Sequence, residues 1–192
     1  VITQGDQDSP VNLIKKAIQE VEGVFTPSTF LNLNQLCESL ATAKNIICYG
    51  VGREGLMMKS LTMRLTHLGL NAYFVGDMNV PPATKEDLLL VSAGPGFFST
   101  VDALVGVATK TDCKAIVFTA RPDRLNEHTY HQVVHIPAQT MADDLKNPNG
   151  VLPMGSLYEA ALFLFFEIVI ITLREVLQES AESMRARHTN LE

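Results

Sequence analysis

The sequence holds no tryptophan, three cysteines, and no run of lysine or arginine in its 192 residues. Each shortage excludes something. Cys37, Cys48 and Cys113 are odd in number and show no metal-ligand spacing, and two of them fall inside apolar strand-like runs. That pattern argues against a disulfide framework or a zinc site and fits core thiols in a reducing compartment. A net charge of −6 without a basic stripe argues against nucleic acid or an anionic membrane as the main partner, so a small molecule or another protein chain is expected. The N-terminal VITQGDQDSP lacks the basic-then-apolar order of a secretory signal, and the expected location is cytoplasmic. Uninterrupted apolar runs of membrane-spanning length are also missing. The most apolar segment, Leu157 to Leu173, contains Glu159 and Glu167 and is followed by Arg174 and Glu175, so it falls short of the roughly 20 residues that a membrane span requires. It reads as a buried helix, with a subunit interface as a candidate setting.

What is present suffices for one core. With 46% apolar residues, a single domain over residues 1–192 is expected, the first 8 forming a flexible lead. Ser9-Pro10 supplies an N-cap and a first-turn proline for a helix through VNLIKKAIQEVEGVF, and a second helix is expected from about Phe30 to Ala43. Strand-length apolar runs follow at Asn45 to Tyr49, Ala72 to Val75, Leu88 to Val91, Ala115 to Thr119 and Val133 to Ile136, mostly separated by helix-sized intervals. This βαβ rhythm predicts an α/β fold, a doubly wound, mainly parallel five-stranded sheet in three layers, with ligands received beyond the carboxyl ends of the strands. A final helix is expected from near Ser156. The longest loop, Pro137 to Pro153, has the length of a lid or a partner-contact segment.

Two glycine turns follow adjacent strands. In the first, Gly50, Gly52 and Gly55 permit a sharp turn into a helix expected to start near Leu56, whose unpaired N–H groups would favour an anion. A tight strand-to-helix turn with no ligand explains the same glycines. The second turn, SAGPGFFST from Ser92 to Thr100, suggests a crevice shared by both turns. Glu54 is the awkward residue, an acid where such a turn would receive an anion. Ser156 and Glu159 form S-x-x-E at the start of an apolar helix, the spacing of a capping box. His67 reads as a histidine near a helix C-terminus, favoured there by the macrodipole. His128, His131 and His135 lack an accompanying carboxylate or thiol cluster, which argues against a metal site.

The segments GVGREGLMMKSLTMRLTHLG, VPPATKEDLLLVSAG, PMGSLYE and MRARHTNLE occur in an order and spacing that resemble the sugar isomerase (SIS) family, and within it the 6-phospho-3-hexuloisomerases. The resemblance covers about Val11 to Glu192. It implies a flavodoxin-like SIS fold with extra N-terminal and C-terminal helices, and an aldose-ketose type isomerisation of a phosphorylated sugar through an enediol, with no metal or redox cofactor. It implies Glu159 as the base that moves a proton between carbons, and His188 as the group that assists ring opening or protonates oxygen, reaching a neighbour's Glu159 across a subunit interface. A homotetramer of paired dimers, or a dimer, follows from the same likeness. The expected phosphate-binding set is Gly50, Gly52, Arg53, Glu54, Ser92, Gly94, Gly96, Ser99 and Thr100. Two departures stand out: Glu54 replaces a serine of the family turn, and SAGPGFFST replaces SGSGET. They leave open an isomerase with an altered substrate, or a non-catalytic sugar-phosphate sensor or scaffold.

Overall fold

The computed structural model describes residues 9–127, 130–146 and 150–191. The expected flexible lead and His128 lie outside these. Helix α1 (Pro10–Val24) opens on Ser9, whose Oγ accepts a hydrogen bond from the Asn12 backbone N–H at 3.3 Å. The second expected helix is shorter than its sequence pattern. A 3-10 turn at Pro27–Phe30 precedes α2 (Leu33–Thr42), because Thr26 and Thr29 cap each other reciprocally around Pro27 and set a separate turn.

The strands are β1 (Ile46–Gly50), β2 (Ala72–Phe74), β3 (Leu88–Ser92), β4 (Lys114–Thr119) and β5 (Gln132–His135), all parallel in the order β2-β1-β3-β4-β5. Helix α3 (Gly52–His67) joins β1 to β2, α4 (Ser99–Lys110) joins β3 to β4, and α5 (Ser156–Val176) and the short α6 (Ala181–Ala186) follow β5. Alternate residues of the strands face opposite layers. Ile46, Cys48, Leu88, Leu90, Ile116 and Phe118 pack with α2, α3 and α5, whereas Ile47, Leu89, Val91 and Val117 pack with α4. The result is the expected three-layer doubly wound fold. Burial on both faces is why β3 reads as an unbroken apolar run rather than an alternating one.

Helix α5 is long and apolar enough to cross a membrane by composition, yet Leu162, Phe165, Phe166, Val169 and Ile170 are core residues. Its outer side leaves Phe163, Leu164, Ile168 and Ile171 exposed, and α1 leaves Val11, Ile14 and Ile18 exposed. The three cysteines are buried and unpaired, and burial raises the Cys37 thiol to about 11, which keeps it protonated.

The strand order fixes where a site can form. Chain connections leave β1 toward β2 on one side, while β3 continues the sheet on the other. The crevice beyond the carboxyl ends of β1 and β3 is therefore the topological switch point. Register brings Gly50 level with Ser92 at that edge.

Candidate active site

Helix α3 starts at Gly52, one turn earlier than expected. The reason is a close approach that only glycine allows. A Cβ on Gly55 would lie 2.5 Å from the Gly50 carbonyl oxygen, and one on Gly50 would lie 2.9 Å from the Gly55 nitrogen. The helix therefore sits directly on the end of β1, and these two glycines serve packing. Gly52 differs: its φ is +58° and a Cβ there would meet open space.

The early start places Arg53 and Glu54 in the first turn, facing opposite ways. Arg53 points outward with its side chain 61% exposed, while Glu54 is buried. Ser92 Oγ donates to Glu54 Oε2 at 2.6 Å, and the Gly94 backbone N–H donates to the same oxygen at 3.0 Å. The Tyr158 hydroxyl lies 3.3 Å from Ser92 Oγ and extends the network. Gly94 must lack a side chain here, since a Cβ would lie 2.8 Å from both Glu54 Oε1 and the Tyr158 ring. Burial raises the Glu54 carboxyl above its ordinary value, the Ser92 and Gly94 donors pull it back, and the charge of Glu159 adds to the rise. Glu54 lines the crevice, but its carboxylate faces inward rather than across the turn and takes two donors at the switch point.

The second turn disperses its expected contributors. Gly96, at φ +96°, backs against the β4–β5 connection, where a Cβ would come within 2.6 Å of Arg124 Cβ. Ser99 and Thr100 are exposed in the first turn of α4 and do not line the crevice. The crevice has a volume of about 330 Å³. Its polar lining is Arg53, Glu54, Thr140, Ser156, Tyr158 and Glu159, with Arg53 the only cation among the lining residues. A second cleft of about 390 Å³ lies between α2 and β5, and its lining has no carboxylate or guanidinium.

Glu159 lies in the first turn of α5 and is not part of a capping box. The N-cap is Gly155 at φ +83°, with no side-chain cap. Arg53 Nη1 donates to Ser156 Oγ at 3.0 Å, and Arg53 Nη2 stands 2.8 Å from Glu159 Oε2. That second contact is an ion pair without hydrogen-bond alignment, so Oε2 keeps its accepting capacity. Burial raises the Glu159 carboxyl, and Arg53 offsets part of the rise.

His188 is elsewhere. Its ring centre lies 5.1 Å from that of His67, in the last turn of α3, and Arg187 Nη1 donates to the His67 carbonyl at 3.0 Å. The 16 residues of α3 span about 24 Å at 1.5 Å per residue, so Glu159 and His188 of one chain sit at opposite ends of that helix. His67 is where the sequence puts it, at the C-terminal end. His131 Nε2 lies 3.3 Å from Ser39 Oγ, and among the described residues no three His, Cys, Asp or Glu side chains cluster in a way that would hold a metal. Tyr158 and Thr140 are crevice residues that sequence reasoning missed. Tyr158 adjoins Glu159 in PMGSLYE and was within reach of the motif, whereas nothing local marks Thr140.

No family model matches the chain. It is 31% identical over 159 residues to 3-hexulose-6-phosphate isomerase of Bacillus subtilis, covering 83% of this chain and 86% of that one. It is 33% identical over 157 residues to the Mycobacterium gastri 3-hexulose-6-phosphate isomerase, covering 82% and 78%. In three dimensions it matches a Methanococcus jannaschii protein for which a 3-hexulose-6-phosphate isomerase function was inferred, with a TM-score of 0.76 and 24% identity, over 95% of this chain and 99% of that one.

Proposed function

We propose a reaction for the crevice from one premise: the chain belongs to the 3-hexulose-6-phosphate isomerase family. It is a phosphosugar isomerase, and the reaction is the interconversion of 3-hexulose 6-phosphate and fructose 6-phosphate. The carbonyl moves from C3 to C2. A base takes the proton from C2 while the C3 oxygen gains one, giving a 2,3-enediol. The proton returns to C3 as the C2 hydroxyl loses its own, and no atom leaves the substrate. The electron pair stays on the sugar throughout, so the chemistry asks for a carboxylate, an oxygen-protonating group and little water.

Glu159 is the base in this reading. The observation that carries it is the desolvated Glu159 carboxylate, held in the crevice by Arg53 with an oxygen still able to accept. The sugar phosphate enters at the positive end of α3, where Gly52 leaves room and Arg53 supplies charge. Gly50, Gly96, Ser99 and Thr100 act at most through the shape of the two turns. His188 is contributed by a neighbouring chain, since its own Glu159 is a helix length away. Self-association is therefore part of the proposal, as a tetramer of paired dimers, and the exposed apolar faces of α1 and α5 support it. The buried, unpaired cysteines support a cytoplasmic location.

The deciding experiment is Glu159→Gln. The amide keeps the shape and hydrogen-bonding reach of the side chain but cannot take a carbon-bound proton. Exchange of the sugar's carbon-bound proton with deuterated solvent, followed by NMR, should vanish while fructose 6-phosphate still binds. Turnover like that of the unmodified protein would remove Glu159 from the mechanism. One observation favours a second reading, an isomerase of this type acting on a sugar whose anion sits differently: Ser92 and Gly94 already serve Glu54. A panel of hexose and pentose phosphates decides between them, because the first reading predicts the highest kcat/KM with the 3-hexulose.

A further inference from the structure

Thr140 is only 2% exposed, yet its hydroxyl oxygen has no hydrogen-bond partner among the described residues. A buried hydroxyl left unpaired costs about 1–3 kcal/mol, and most buried polar groups are satisfied. A retained exception asks for a partner that arrives later. Thr140 is one of the residues that line the crevice holding Glu159.

Its position is fixed by several contacts. The Asp143 backbone N–H donates to the Thr140 carbonyl at 3.0 Å, and Arg121 Nη1 donates to Asp143 Oδ1 at 3.0 Å, tying the segment to the end of β4. On the other side lies Gly155, whose Cβ would come 3.0 Å from the Met141 nitrogen and 3.7 Å from Thr140 Cα. The residue that starts α5 is thus glycine where the 140–141 backbone packs against it. The Glu159 N–H donates to the Gly155 carbonyl at 3.1 Å, so Thr140 and Glu159 both adjoin Gly155.

We propose that Thr140 is a substrate-binding residue whose hydroxyl pairs with a hydroxyl of the sugar chain and sets its carbons against Glu159. This rests on the isomerase reading above. A threonine hydroxyl both donates and accepts, which matches a sugar hydroxyl, whereas a phosphate oxygen only accepts. The cation that attracts phosphate is Arg53.

Thr140→Val and Thr140→Ser test this, because valine keeps the shape and removes the hydroxyl while serine keeps the hydroxyl. Thr140→Val should melt at or above the temperature of the unmodified protein, since no internal hydrogen bond is lost. It should lose about tenfold in kcat/KM for 3-hexulose 6-phosphate, and about tenfold in calorimetric affinity for fructose 6-phosphate, on the scale of one hydrogen bond. Thr140→Ser should retain most of both, and affinity for inorganic phosphate should be unchanged in either variant. A lower melting temperature with unchanged sugar affinity would make Thr140 structural and overturn the proposal. Equal losses for inorganic phosphate and sugar phosphate would overturn the pairing with a sugar hydroxyl. If the unmodified protein binds fructose 6-phosphate without isomerising the 3-hexulose, the isomerase reading fails, and the affinity of Thr140→Val still decides the role of Thr140. Absence of any sugar-phosphate binding overturns both.

Discussion

A carboxyl group buried beneath the first turn of a helix either loses its charge or is paid for in hydrogen bonds, and Glu54 has two donors on one oxygen. Burial still prevails and its value lies above that of an ordinary glutamate. The native state therefore binds more protons than the unfolded chain between the two values. The stability contributed by Glu54 is fully present below the unfolded value and is lost as pH rises through the folded one. Glu54→Gln, whose amide oxygen can accept from both Ser92 and Gly94, should be more resistant to urea than the unmodified protein above that range. The difference should vanish on acidification, and unfolding midpoints from pH 4 to 8 read it directly. Lower stability of Glu54→Gln at every pH would mean that the ion is the preferred buried form. Glu159 gives a kinetic counterpart. In its proposed role as base Glu159 must be ionised, and burial places its carboxyl above the usual range, so kcat/KM should fall toward acid with a midpoint above that of free glutamate. Arg53→Met removes the charge that offsets the rise, and the midpoint should move further up, separately from any change in KM. That Glu159 would line the crevice was legible in the sequence because PMGSLYE carries it. The direction in which Glu54 points was not, because two consecutive residues of a helix turn face different ways and only the packing of the turn decides which is inside.

At the scale of elements, the five strands were legible almost to the residue, since apolar runs flanked by turn residues coincide with buried parallel strands. The start of α3 was not, because it depends on Gly50 and Gly55 touching, a contact between backbone atoms that no periodicity records. Gly55→Ala tests this directly. Its Cβ would meet the Gly50 carbonyl, which cannot swing away, so a loss of about 1–3 kcal/mol is expected in chemical denaturation. Gly106→Ala is the matched control within α4. Nothing lies within 4 Å of its Cβ, and a gain of about 0.5–1 kcal/mol is expected from helix propensity and reduced unfolded-chain freedom. Equal effects of the two changes would mean that α3 can lift off the strand end. That the Pro137 to Pro153 loop is long was legible in the sequence. Its contribution, an unpaired threonine, was not, since partners far apart in sequence define what is unpaired.

For the whole molecule, two features bear on the proposed assembly, an exposed apolar surface and the separation of the candidate catalytic groups. Ile14, Ile18, Phe163 and Leu164 line an apolar groove between α1 and α5. Sedimentation at micromolar concentration should show no substantial monomer, and Phe163→Glu should release monomers by placing a charge in that surface. A clean monomer from the unmodified chain would contradict the assembly. The sequence points toward association through a helix apolar on nearly every side, whereas the separation of Glu159 from His188 emerges only once α3 is laid between them. That separation has a genetic corollary. If the crevice is shared as proposed, a chain carrying Glu159→Gln and a chain carrying His188→Ala each ruin every site of their own homodimer, whereas a mixed dimer pairs the intact Glu159 of one with the intact His188 of the other at one of its two sites. Random mixing of the two inactive proteins should then restore about one quarter of the sites, and bacteria carrying both alleles would grow where neither allele alone suffices. If both groups served the same chain's crevice, the mixture would stay dead.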